Sequence, residues 1–141
     1  GMVPGREPGV FDTPAGRIGV AVCYDMRFPE LFRRMNELGA DYFVLSAAFT
    51  VPTGRAHWDV LVRARAIENL SHLVVSAQVG EHANGRATYG HSMVVDHWGA
   101  VLDVLPQGEG AAVADIDLER QARVRREFPA LEHRVMGRTI S

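Results

Sequence analysis

Lysine is absent: all fifteen basic residues among the 141 are arginine. Arginine keeps its proton under all ordinary conditions, so no side chain here can do the tunable amine chemistry of lysine. Cysteine is nearly absent as well. A single one, Cys23, excludes an intrachain disulfide and fits a reducing compartment, so a cytoplasmic location is expected. Long apolar runs are missing too. The longest, Tyr42 to Phe49 with Ser46 inside it, is far too short to cross a bilayer. Residues Gly1 to Pro14 are turn-rich without an apolar stretch, so no signal peptide is expected, and Gly1 ahead of Met2 reads as a tag remnant. The net charge of −2 advertises no surface for nucleic acid or for an anionic membrane. No two histidines stand at metal-pair spacing beside a carboxylate, so neither a metal nor a cofactor is expected.

What is present fits one soluble domain spanning residues 1–141: 47% of the residues are hydrophobic and 23% charged, enough to bury a single core. Residues 1–9 read as an irregular lead-in, followed by a short strand at Val10–Thr13 and a turn at Pro14–Gly16. Arg17 to Val22 reads as a buried strand. A helix starts at Pro29, with Glu30 in its first turn, and stops at Gly39. Asp41–Ser46 is the next strand, Ala47–Arg55 a loop, and Ala56–Ser71 a longer helix carrying Trp58, Leu61, Val62, Ala66 and Leu70 on one stripe. Arg63 and Arg65 on that helix read as ion-pair donors to Asp59 or Glu68. His72–Val79 is a strand and Gly80–Gly90 a polar loop. His91–Asp96 and Val101–Leu105 flank a turn at His97–Ala100 and predict a hairpin, which Ala111–Ile116 extends as a third strand. Asp117 caps a last helix, Leu118–Glu127, and residues 128–141 read as an extended C-terminal arm.

The order β-α-β-α-β with short connections predicts a parallel core with right-handed crossovers, hence an α/β fold with a mixed sheet and helices on one face. The strands are apolar throughout rather than alternating, so both faces of the sheet need cover. No element in the sequence obviously covers the second face.

The stretch Gly16–Leu31, GRIGVAVCYDMRFPEL, organises the chain. A small-residue strand delivers Cys23 to a sharp turn and a helix leaves at once, the place where α/β enzymes expose a nucleophile. Taken alone, a single cysteine is more readily a small buried hydrophobe than a nucleophile. His57, His82 and His91 read as surface or helix-start residues, and a Cys–His hydrolase is the remotest option.

That stretch resembles the nucleophile motif of the nitrilase-like carbon–nitrogen hydrolases, and the similarity continues through SAAFTVPTGRAHWDVLVRARAIEN (Ser46–Asn69) and YGHSMVVDHWGAVL (Tyr89–Leu102). Within the family the chain looks closest to the Nit-type amidases. The resemblance implies half of an α-β-β-α sandwich and amide or nitrile hydrolysis by a glutamate base, a lysine and a nucleophilic cysteine. Cys23 matches the nucleophile, and the backbone N–H of Tyr24 the oxyanion donor. Asp25, Arg27 and Glu30 match the supporting polar residues, while Phe49 and Thr50 fall at positions expected to line the substrate pocket. His97 stands where relatives tend to have proline. In the family the base and the lysine lie ahead of the cysteine. Here Glu7 precedes it in a setting that does not match. The chain is therefore expected to be a C-terminal half, inactive alone, its sandwich completed by homodimerisation through the uncovered sheet face, with a small-molecule amide as substrate if the missing glutamate and lysine are supplied. Two rivals stand beside it: a subunit complemented in trans by a chain bearing the glutamate and lysine, and a non-catalytic assembly or binding module.

Overall fold

The computed structural model describes residues 3–137, so the reading of Gly1 and the last four positions of the arm lie outside the described residues. Strand β1 (Gly9–Thr13) runs antiparallel to β2 (Gly16–Val22). A 3₁₀ turn (Cys23–Arg27) leads into helix α1 (Pro29–Glu37), then β3 (Tyr42–Ala47). A single helical turn, α2 (Val51–Thr53), and a π-turn (Gly54–Trp58) precede helix α3 (Asp59–Asn69). Strands β4 (Leu73–Ala77), β5 (Val79–Glu81), β6 (Ala87–Tyr89), β7 (Ser92–Val95) and β8 (Val101–Leu105) follow, and helix α4 (Leu118–Glu127) closes the order.

The main sheet has six strands in the order β1-β2-β3-β4-β7-β8, and β2, β3 and β4 are parallel. One face forms the core. Ala21, Phe43, Leu45, Leu73, Val75, Met93 and Val95 pack under Phe32 and Met35 of α1 and under Trp58, Val62 and Ala66. The α1 stripe was legible because Pro29 sits in its first turn and the apolar residues recur at helical spacing. Gly19 lets α1 approach closely: a Cβ there would sit 2.8 Å from Phe43 and 2.9 Å from the Met35 sulfur. Helix α4 braces the amino ends of β3 and β4 through Gln121, whose side-chain amide nitrogen, Nε2, donates to the Asp41 carbonyl at 2.7 Å. Its Oε1 accepts the His72 backbone N–H at 2.9 Å. Asp117 caps this helix as its position suggests, accepting the Arg120 N–H at 2.8 Å.

The other face is open over β1 to β4, while Val94 of β7, which shares that face with Val74, is buried. Val20, Val44 and Val74 line a shallow apolar surface with Ser46 and Ser76, and Phe11 and Val22 stand more than half exposed on the same sheet. Among the described residues no helix is long and apolar enough to cross a membrane, and no group of three or more His, Cys, Asp or Glu residues is placed to hold a metal ion.

Four local expectations need correction. Gly80–Gly90 is not a plain loop but the β5–β6 hairpin, paired Val79 to Tyr89 and Glu81 to Ala87, its polar composition masking a pairing that Tyr89 anchors. Ala111–Ile116 forms no strand. Its small side chains have little area to bury, and the Val113 N–H is taken by the Asp103 carboxylate at 2.7 Å. The long helix starts earlier than Ala56, through α2 and the π-turn. Residues 128–137 do not extend away: the segment turns after Pro129 and returns to α1, where Arg134 meets Glu37 at 3.0 Å.

Candidate functional site

The parallel strands β2, β3 and β4 end together, and Cys23 stands at the carboxyl end of β2. Its backbone has φ +48°, a left-handed conformation that L-residues seldom adopt. Such strain is characteristic of sites where a tight turn must present one side chain. The turn is tethered locally by Asp25, whose Oδ2 accepts the Val22 N–H at 2.9 Å, so the residue before Cys23 and the residue two after it are joined across it. Phe28 donates its N–H to the Asp25 carbonyl at 3.0 Å, and α1 then departs.

Cys23 borders a cleft of about 440 Å³ that is also lined by Val22, Ser46, Ala47, Ala48, Ser76, Ala77 and Gln78. Ser46 and Ser76 are aligned across the parallel β3–β4 ladder, as are Ala47 and Ala77. Apart from the thiol, none of these lining residues carries an ionisable side chain. The cleft thus offers a soft nucleophile, two hydroxyls and an amide, in a partly apolar setting that opens toward the uncovered sheet face.

The other expected residues are distributed around this centre. Tyr24 is two-thirds exposed and packs edge-on against Phe28, with ring centroids 5.6 Å apart. Arg27 lies over two rings, 5.6 Å from that of Tyr24 and 5.2 Å from that of Phe49, a cation–π bracket for the turn. Glu30 is exposed in the first turn of α1. Phe49 is buried edge-on against Trp58, centroids 4.8 Å apart, and the Thr50 hydroxyl pairs with that of Thr53 at 2.9 Å. Neither side chain borders the cleft in this structure.

Ser46, Ser76 and Gln78 escaped the sequence reading. A signal was present: two strands end in the same Ser-Ala pair, in YFVLSA and LVVSA, and parallel pairing sets those pairs side by side at the Cys23 end. Arg65 was read as an ion-pair donor, and it does meet Glu68 at 3.0 Å. It also donates from Nε to the Met26 carbonyl at 3.0 Å, a contact with the turn that no spacing rule reveals. His57 approaches Arg27 at 3.4 Å and borders neither the thiol nor the cleft.

Residues 2–126 match the family model described as carbon-nitrogen hydrolase. The human deaminated glutathione amidase is 52% identical over 122 residues, covering 86% of this chain and 37% of the relative. The crystal structure of the C. elegans NitFhit protein superposes with a TM-score of 0.84 at 47% identity, over 87% of this chain and 30% of that one. A mutant of the amidase from Nesterenkonia sp. AN1 superposes with a TM-score of 0.71 at 30% identity, over 90% of this chain and 51% of that one. That structure shows the result of Michael addition of acrylamide at its active-site cysteine. The chain thus spans between about a third and a half of the length of these relatives.

Proposed function

The chain belongs to the carbon–nitrogen hydrolase family, and on that premise we propose that it is the nucleophile-bearing portion of an amidase acting on small linear amides in a reducing, cytoplasmic compartment. The observation that carries this reading is Cys23 itself, held at positive φ where β2 meets the open cleft. The acrylamide adduct on the active-site cysteine of the Nesterenkonia amidase supports the same role for a cysteine in this fold. The relatives named deaminated glutathione amidase support a small linear amide as the substrate.

In the proposed chemistry the Cys23 thiolate attacks the amide carbonyl carbon, and the C=O electron pair moves to oxygen. The Tyr24 N–H, with a cation, stabilises that oxyanion. Collapse breaks the C–N bond, the amine leaves with the proton that the general base took from the thiol, and a Cys23 thioester remains. Water then attacks the thioester, giving the carboxylic acid and restoring the thiol. Asp25 and Arg27 hold the turn, Glu30 favours the start of α1, and Ser46, Ser76 and Gln78 line the cleft in which the substrate would sit. In this reading the general base and the cation come from outside these 141 residues; the absence of lysine from the sequence, and of a carboxylate at the cleft among the described residues, supports it. This portion on its own is therefore inactive.

For the 141-residue chain by itself, the partner we propose is a second copy, packed sheet against sheet over Val20, Val44 and Val74. The open part of the face, β1 to β4 at about 4.8 Å per strand and five residues at about 3.3 Å, offers roughly 300 Å² per copy, which puts such a pair at the weak end of protein interfaces. Two further readings remain testable beside it: completion by a separate chain bearing the glutamate and the lysine, and a non-catalytic assembly module. The test is to mix this chain with a polypeptide carrying the family's glutamate and lysine segments and to follow ammonia release from an ω-amide. The reading predicts turnover that Cys23→Ala abolishes. No turnover on mixing supports the assembly module instead.

A further inference from the structure

Resting on the reading of Cys23 as the nucleophile, we infer that Arg65 is a positioning residue for it: the buried guanidinium, braced by Glu68, grips the Met26 carbonyl and holds the nucleophile turn in its left-handed form. Arg65 is 5% exposed. Its Nε donates to the Met26 carbonyl at 3.0 Å and its Nη1 to Glu68 Oε1 at 3.0 Å. The guanidinium also lies over the Phe32 ring, 5.9 Å from its centroid, so helix α3, helix α1 and the Cys23–Arg27 turn meet on this one side chain.

The turn needs such a hold. A 3₁₀ segment of five residues is at the limit of what that geometry sustains unaided, and its first residue sits at φ +48°. The Asp25–Val22 bond ties the turn on its exposed side. Arg65 ties it on the buried side, through a carbonyl three residues after the nucleophile. The far end of the strut is also fixed. Arg33 of α1 donates to the Glu68 carbonyl, and Asn36 donates to the Asn69 carbonyl at 3.1 Å. Helix α1 leaves directly from the turn, so the turn is clamped both through its own helix and through α3.

A buried carbonyl needs a donor whatever its neighbourhood, and a neutral group would serve that need without the desolvation cost of a guanidinium. Arginine adds a rigid planar fork that engages two acceptors in fixed directions, which is what locating a turn relative to a helix requires. Arg63, on the same helix, is a natural control: its Nε donates to the Gly99 carbonyl at 2.8 Å, at the β7–β8 turn and remote from Cys23 in the fold.

The experiment uses the 141-residue chain with Arg65→Met, Arg65→Lys, Glu68→Gln and Arg63→Met. Three readouts are taken: thermal unfolding, the Cα and Cβ carbon shifts of Cys23 with exchange of the Val22 amide, and the rate of Cys23 alkylation by iodoacetamide against pH. Arg65→Met is expected to lose the left-handed shift signature, to exchange the Val22 amide about tenfold faster or more, the scale of one charge-assisted hydrogen bond, and to change the alkylation profile. Arg65→Lys and Glu68→Gln should show intermediate changes, and Arg63→Met none. If the Arg65 variants fold and melt lower while the Cys23 shifts and alkylation profile stay as in the parent, Arg65 only fills a structural need and the inference is overturned. If Arg65→Met does not fold, Arg65→Lys and Glu68→Gln decide by the same criteria. These readouts need no turnover, so the inference can fail while Cys23 remains the nucleophile. Conversely, turnover that survives Cys23→Ala would remove the functional reading and leave the geometry of the turn standing.

Discussion

Replacing Cys23 once by glycine and once by alanine separates backbone strain from chemistry, because both changes remove the thiol. At φ +48° an L-residue costs about 1–2 kcal/mol relative to the right-handed region. Glycine escapes that cost but loses about 0.5–1 kcal/mol through the greater freedom of its unfolded chain. The balance favours Cys23→Gly over Cys23→Ala by about 0.5–1 kcal/mol. At an ordinary backbone position the sign reverses. Urea unfolding followed by tryptophan fluorescence is a suitable assay, since Trp58 is 1% exposed and reports on the core. With a slope of about 1–3 kcal/mol per molar urea, the glycine variant should unfold a few tenths of a molar later. An alanine variant that is equally or more stable would refute the claim that the backbone at Cys23 is strained.

Three further outcomes are expected. His97 is buried with both ring nitrogens unpartnered, and burial pushes its pKa below the usual histidine value. The unfolded chain therefore takes up the proton first, so stability is whole above a pH of about 6.5 and falls as pH drops toward the depressed native value, with a slope of at most about 1.4 kcal/mol per pH unit. Asp96 and Asp117 oppose this shift, while His72, 5.2 Å away, and Arg120 reinforce it. His97→Leu should flatten the acid limb and add about 1–3 kcal/mol by removing an unsatisfied polar group; urea midpoints across pH check this, and an unchanged acid limb contradicts it. Gly54→Ala would drive a Cβ into Tyr89, and overpacking of about 1–3 kcal/mol should outweigh a helix-propensity gain of at most ~1 kcal/mol. A thermal melt that does not fall would show that Tyr89 moves aside freely. Val74→Glu on the open face should keep the chain monomeric in light scattering, and a parent chain that is itself a clean monomer at micromolar concentration would rule out pairing through that face.

The parts of this molecule that were legible in sequence share a physical cause: their signals are local. The β2 strand ends in a polar turn and Pro29 opens α1, while Asp117 stands immediately before the Leu118–Glu127 helix that it caps. Parallel pairing of β2, β3 and β4 followed from short connections through helices. The β5–β6 hairpin was hidden because its segment is polar and rich in glycine. Its pairing depends on distant partners: the Thr50–Thr88 bridge and the close seat of Tyr89 on Gly54. Ala111–Ile116 failed in the opposite sense, with strand-like residues too small to make pairing worthwhile beside the Asp103 carboxylate. At the site, the Cys23 turn between strand and helix was readable from Gly16–Leu31, but the hold of Arg65 on Met26 spans 39 residues and exists only once α3 lies across the turn.

The central claim is that Cys23 is the acyl-accepting nucleophile of a carbon–nitrogen hydrolase. Its most direct test is intact-mass spectrometry of the chain, mixed with the glutamate- and lysine-bearing segments, during turnover of a slow amide substrate, with peptide mapping of any adduct. The account predicts a gain of the acyl mass confined to the peptide carrying Cys23 and absent from Cys23→Ala. Hydrolysis that proceeds with the acyl group on another residue, or that persists unchanged in Cys23→Ala, would contradict it.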